Sequence, residues 1–289
     1  MPENKVIPAK LPSNQFDHFY RGGNRIGALR QGPGGPMRPE EWIGSITTRF
    51  GEAEQGLSKL PDGSYLKDAI AADPIAWLGE EHFAHFGLSI EVLVKLLDPD
   101  QRLPVHFHPN KAFARQHLGL DHGKTEAWII LEAPAGAGVG LGFKESQNKE
   151  ALLEWEGFAV DGIKDGHLGL GFETVTDALM LDPLSDGEFD SLVMRNALSG
   201  GAMRSILPIK SDGYFRAHLA PGSGDFEAGF AVALVLNGAG EITFASAPTM
   251  PIAQGDAIVI PHAAGNYSIT GANVIISRPP LAEMAKSAV

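Results

Sequence analysis

A chain of 289 residues, 44% hydrophobic and 20% charged, has the material for one large globular domain or two small ones. Its net charge of −12 leaves no basic surplus to neutralise a nucleic-acid backbone, and the lack of cysteine excludes disulfides, thiolate metal sites and cysteine nucleophiles. The first residues lack the apolar core of a signal peptide, and no segment approaches the roughly 18 apolar residues of a membrane span. A cytoplasmic enzyme or binding protein without nucleic-acid or membrane partners is therefore expected.

With 35 glycines and 20 prolines, the chain favours turns and short strands. Residues 1–15 are polar and proline-punctuated and should wrap the surface. Arg25 to Leu29 reads as a short strand. After the GPGGPMRPEE loop, Trp42 to Ser45 alternates as a strand should, with Trp42 as a core aromatic. Leu66, Ile70, Trp77 and Leu78 have helical spacing, and Asp73-Pro74 should split that helix in two. His82 and His85, three apart, could share a helix face and read as structural or solvated. Leu88 to Leu97 is dense in Ile, Val and Leu and reads as a buried strand. Lys95 within it is either an edge residue that snorkels outward or a cation directed into a pocket.

The most informative stretch is Leu103 to Leu131. His106 and His108 flank Phe107, and on a strand residues two apart share a face, so two imidazoles could aim at one point. Beside Pro109, the same pair could equally be two surface imidazoles in a turn. Glu126 heads an apolar run, Ala127 to Leu131, that reads as a second strand. Two histidines and a carboxylate would suit zinc or another divalent first-row metal with positions open to substrate. Between them, Asn110 to Leu118 reads as a short helix capped by Asn110, with Lys111 and Arg115 outside. Lys124, two before Glu126, would face the same side on extended chain.

Beyond it, Ala133 to Gly140 reads as a turn-rich hairpin into Leu141–Lys144. Glu150 to Phe158 passes directly from helix-like to strand-like sequence. His167 sits in a DGHLG turn, and Thr174–Leu181 and Asp190–Leu198 have helical spacing. From Phe215 the pattern is strands and turns: AGFAVALVLNGAGEITFA reads as a hairpin bending at Asn237-Gly238, followed by a Gly255-Asp256 turn. His262, after Pro261, reads as structural.

The run HFHPNKAFARQHLG…GKTEAWIIL resembles the metal-binding core of type I mannose-6-phosphate isomerases, which are cupin-fold zinc enzymes. In that family a Gln or His stands two before the histidine of an HP dipeptide, and a KTE or KPE follows about one short helix later. FYRGG, EWIGS, GLSKLPDG, Val92–Asp98, LLEWEGF and DGHLGLGF extend the resemblance over most of the chain. It implies a mainly β protein of two cupin-type jelly-roll barrels with short helical insertions. The implied organisation is a metal-binding domain over 1–160, a helical bridge over 161–205 and a metal-free barrel over 206–289. It further implies one zinc ion held by His106, His108 and Glu126, with Lys124 at the substrate, and interconversion of mannose 6-phosphate and fructose 6-phosphate. The phosphate needs a further cation, for which Lys95, Arg115 and Lys144 are the candidates. The chain departs from the family near Glu154, where a segment carrying a PAGxxHA loop and its metal-binding histidine is normally found. A non-catalytic sugar-phosphate-binding cupin, or an isomerase of another sugar, would share the rest of the pattern.

Overall fold

The computed structural model describes residues 6–103, 105–154 and 169–285. It resolves into two compact units, Met1–Gln101 with Asn196–Ala288, and Arg102–Arg195. Among the described residues no helix is long and apolar enough to cross a membrane.

The first unit opens with β1 (Ala9–Lys10), α1 (Arg25–Arg30), β2 (Glu40–Ile43), α2 (Leu66–Ala72), α3 (Pro74–Leu78), α4 (Glu80–Phe86) and β3 (Val94–Leu97). The strand expected at Arg25–Leu29 is helix instead, for a reason local patterning does not carry. The Asp98 carboxylate accepts the Arg25 backbone N–H at 2.8 Å and its guanidinium at 3.0 Å, so a residue distant in sequence satisfies the start of α1. Left-handed Gln31 then ends it. Trp42 lies in a strand and in the core as expected, and β2 pairs antiparallel with β3, placing Trp42 opposite Lys95. Only Val94–Leu97 of the longer strand expected at Leu88–Leu97 forms. The split at Asp73-Pro74 is present: the Asp73 side chain accepts from the Ala76 N–H at 3.1 Å, and Pro74 takes the first position of α3, where no N–H is required. His82 on α4 bonds the Ser89 carbonyl at 2.7 Å, and burial lowers its pKa, in keeping with a structural role.

The second unit holds α5 (Lys111–Phe113), α6 (Lys149–Leu153), α7 (Phe172–Val175) and α8 (Asp186–Leu192). Asn148 caps α6, and Lys149 reaches Asp177 at 2.6 Å, tying that helix to the turn after α7. The strands expected at His106–His108, Ala127–Leu131 and Leu141–Lys144 are not formed: none of the described residues of this unit is in a strand. Val105, Phe107, Trp128, Ile130, Leu131, Val139 and Leu141 are all exposed. Strand dihedrals gain stability only where a neighbour supplies ladder partners, and here no described strand lies alongside. Leu152 and Leu153 belong to α6, while the strand expected from Trp155 on and His167 lie outside the described residues.

The chain then returns to the first unit with β4 (Arg204–Ser205), β5 (Arg216–Phe226), β6 (Ala231–Phe244), β7 (Met250–Ala253), β8 (Ala257–Ile260) and β9 (Tyr267–Arg278). These strands and β1 make an antiparallel sheet in the order β1-β8-β6-β9-β5-β4, with β7 also on β6. The near-continuous apolar run of β6 follows from burial on both faces. Ala231, Ala233 and Val235 enter one core with Ile258, Ile260, Val274 and Ile276. Phe230, Val232 and Leu234 enter a second with Leu66, Ile70, Trp77 and Ile43. The protein is thus mainly antiparallel β with short helices packed on the sheet.

The bend expected at Asn237-Gly238 does not exist. β6 runs through it as one 14-residue strand, and its register against β9 shifts on either side of the dipeptide. Gly238 takes a positive φ of 83° there, so the Asn-Gly pair forms a bulge that coils the strand rather than a turn that reverses it. The Gly255-Asp256 turn is as expected, with the Asp256 carboxylate accepting from the Ala253 N–H. His262 packs its ring over Gly79, where an added Cβ would meet it at 2.7 Å; this fits the structural reading.

Candidate metal centre

The site is assembled by a helix and a glycine clamp rather than by strand alternation. Asn110 starts α5 by accepting from the Phe113 N–H at 2.9 Å. The helix continues as a π turn, Ala114–Leu118, and ends at left-handed Gly119. The chain then doubles back. Gly123 lies so close to the Pro109 carbonyl that a Cβ would collide with it, and the Lys124 N–H donates to that same oxygen at 3.1 Å. This clamp sets Lys124 and Glu126 against His106 and His108. Gly123→Ala should force the clamp open and weaken metal retention by roughly 10–100-fold, as for other residues that orient ligands; competition with a chromophoric chelator measures it.

One nitrogen or oxygen from each of His106, His108 and Glu126 lies within 4.8 Å of the others. His108 Nε2 is 2.8 Å from Glu126 Oε2, and the two imidazole centroids are 5.1 Å apart. Lys124 Nζ lies 3.1 Å from His108 Nε2 and 3.9 Å from Glu126 Oε2. A single imidazole nitrogen cannot donate to Glu126 and accept from Lys124 at once. A divalent cation would resolve the conflict, since it would take the lone pairs of both His108 and Glu126. The donor set therefore fits a borderline metal of the zinc type, and partial exposure leaves room for substrate.

Of the other sequence candidates, Arg115 and Lys144 are exposed, and among the described residues neither bonds to the triad. Lys95 lies in the first unit, its ammonium 2.7 Å from Glu40 Oε2 and 5.1 Å from the Trp42 ring centre. Sequence reasoning passed over Glu40. The signal was a carboxylate two before a core tryptophan, on a strand pairing with one that carries a lysine. Glu40 is buried and accepts from Tyr20 Oη at 2.5 Å and Trp42 Nε1 at 2.8 Å. Burial alone would raise its pKa, but the Lys95 ammonium and these donors outweigh burial and hold it below the usual carboxylate range. A depressed folded pKa contributes stability above the unfolded value and loses it as pH falls through the folded one. The melting-temperature gap between the wild type and Glu40→Gln should accordingly close as pH drops below about 4.

No protein-family profile matches the chain. The mannose-6-phosphate isomerase of Streptococcus mutans is 36% identical over 104 residues, 34% of this chain and 32% of that protein. The match thus spans about a third of the relative's length. The crystal structure of the Bacillus subtilis mannose 6-phosphate isomerase superposes on 94% of this chain and all of its own, with a TM-score of 0.68 at 18% identity. The chain has the mannose-6-phosphate isomerase fold. A further structure with that fold, the Salmonella typhimurium enzyme bound to its substrate and to zinc, covers 96% of this chain with a TM-score of 0.60 at 12% identity.

Proposed function

We propose that the protein is a zinc-dependent aldose–ketose isomerase that interconverts mannose 6-phosphate and fructose 6-phosphate. The observation that carries this reading is the convergence of His106, His108 and Glu126 with Lys124 at one point. The mannose-6-phosphate isomerase relatives and the substrate- and zinc-bound neighbour support it.

Isomerisation moves a proton between C1 and C2 and needs charge on O1 and O2 to be stabilised. When bound, zinc supplies a Lewis acid that polarises those oxygens without redox change. His106, His108 and Glu126 would hold it. Lys124, whose ammonium sits at the rim of the triad, binds the sugar oxygens and holds a proton there. Arg115 and Lys144 are the proposed phosphate-binding cations. The wider plan is two cupin-type barrels: a metal-binding one over 1–160, a helical bridge over 161–205 and a metal-free one over 206–289, in a cytoplasmic protein. Superposition over nearly the whole length of a solved isomerase supports the fold on which this plan rests.

A second reading, a sugar-phosphate-binding cupin without turnover, draws on the departure from the family pattern near Glu154. The test is a coupled assay of mannose 6-phosphate conversion before and after chelation, with metal content measured alongside. Turnover that disappears with the metal and returns with added zinc supports the isomerase. Heat of binding without turnover selects the second reading, and activity only on other sugars moves the substrate assignment.

A further inference from the structure

The inward face of the β5–β9 ladder ends in charge. Arg216 on β5 pairs directly with Arg278 on β9, and His218 pairs with Ile276, so both guanidiniums and the imidazole share the face that carries Ala220, Val274 and Ile276 into the core. Like charges directly opposite on a ladder are unfavourable unless something between them compensates. Among the described residues neither arginine is in a salt bridge. Arg216 Nε donates to the Pro279 carbonyl at 2.9 Å and Arg278 Nη2 to the Ala228 carbonyl at 3.0 Å, each a neutral acceptor.

Two positive-φ glycines, Gly222 at 83° and Gly271 at 85°, with a register shift between Pro221 and Ser223, bend the ladder sharply. The far half therefore folds back over the cationic end. The His218 ring centre comes to 6.2 Å from that of Phe226, which stacks on Tyr267 at 5.1 Å. Gly229 packs against this end: a Cβ there would strike the Arg278 guanidinium. Three polar atoms at this end of the ladder, Arg278 Nε, His218 Nδ1 and Tyr267 Oη, are buried and meet no hydrogen-bond partner among the described residues. Arg278 and Tyr267 are both more than nine-tenths buried.

Asp212 and Glu227 act electrostatically on Arg216 without forming a salt bridge to it among the described residues; orphaned buried polar atoms are rare and each carries a desolvation cost, so three beside two such arginines call for one common partner. Each of the three groups can act as a donor, and the two guanidiniums can act only as donors. That set repels a metal ion and offers nothing to an apolar ligand, but it matches the lone pairs of an oxyanion, with arginine suited to two-point contact. We infer that this end of the C-terminal sheet is an oxyanion site, built from none of the residues of the metal centre, in which Arg216, Arg278, His218 and Tyr267 donate to a phosphate or carboxylate group. Burial raises the Tyr267 pKa, which keeps its hydroxyl a donor at neutral pH.

The experiment is a titration of the full chain with inorganic phosphate and, separately, acetate at constant ionic strength. It is followed by the imidazole NMR signals of His218, assigned with His218→Phe, and by calorimetry. A saturable shift of His218 is expected, with affinity at least about tenfold weaker in Arg216→Gln, since a charge-assisted bond is lost. The shift should persist in His108→Ala, which separates this site from the metal centre. Tighter binding of phosphate assigns phosphate-bearing ligands to the site, and tighter binding of acetate assigns carboxylates. No saturable shift with either anion overturns the inference, as does unchanged affinity in Arg216→Gln. Should that variant fail to fold, the calorimetric affinity of His218→Phe decides in the same way.

Discussion

Alanine at His108 should strip the proposed centre of its metal and reduce the proposed isomerase turnover by on the order of a hundredfold or more. His108 is the hub of the triad: its Nε2 lies 2.8 Å from Glu126 and 3.1 Å from Lys124. Its loss therefore removes one proposed ligand and leaves Lys124 and Glu126, already 3.9 Å apart, facing each other without it. Lewis-acid stabilisation is worth several kcal/mol of barrier, and each 1.36 kcal/mol is tenfold in rate. The check is metal content of the purified variant together with kcat and KM. Wild-type turnover in a metal-free His108→Ala protein would sink the metal mechanism. Lys124→Ala should give the complementary result, metal retained and turnover lowered, because the role proposed for the lysine is on the sugar rather than on the ion.

The residue types of this centre were legible in the sequence, but the geometry that joins them was not. Spacing suggested that His106 and His108 share a face because they lie on a strand. In the structure no strand is present, and a capped helix, a π turn and Gly123 against Pro109 do the joining. Local pattern was sufficient where the determinants are local. Asp73-Pro74 divides two helices by capping and by the proline ring, and Trp42 falls in a strand with its side chain in the core. It failed where a distant residue decides. Asp98 turns Arg25–Arg30 into helix, and pairing with β9 turns an Asn-Gly dipeptide from hairpin bend into bulge. The apolar runs around Trp128 and Leu141 have strand composition, yet strand formation needs a neighbour that composition cannot guarantee.

Arg30→Ala should destabilise the first unit by about 3–5 kcal/mol, because it leaves a buried carboxylate without its cation. The side chains of Arg30 and Glu41 are only 4% and 1% exposed, and Arg30 Nε meets Glu41 Oε1 at 2.9 Å. The same guanidinium donates to the Leu11 carbonyl at 3.0 Å and to the Gly255 carbonyl, so it joins α1, β2, the N-terminal segment and the turn before β8. Among the described residues Glu41 Oε2 meets no hydrogen-bond partner, which makes the pair costly to bury even when intact. A loss of this size lowers the melting temperature by on the order of 10 °C for a unit of this length. Replacing both partners with apolar residues, Arg30→Met with Glu41→Leu, should recover a good part of that loss, since no buried charge is then left alone. Urea denaturation of the wild type, the single variant and the double variant distinguishes the outcomes. If the double variant is no more stable than Arg30→Ala, the carbonyl bonds to Leu11 and Gly255, rather than the ion pair, hold these elements together.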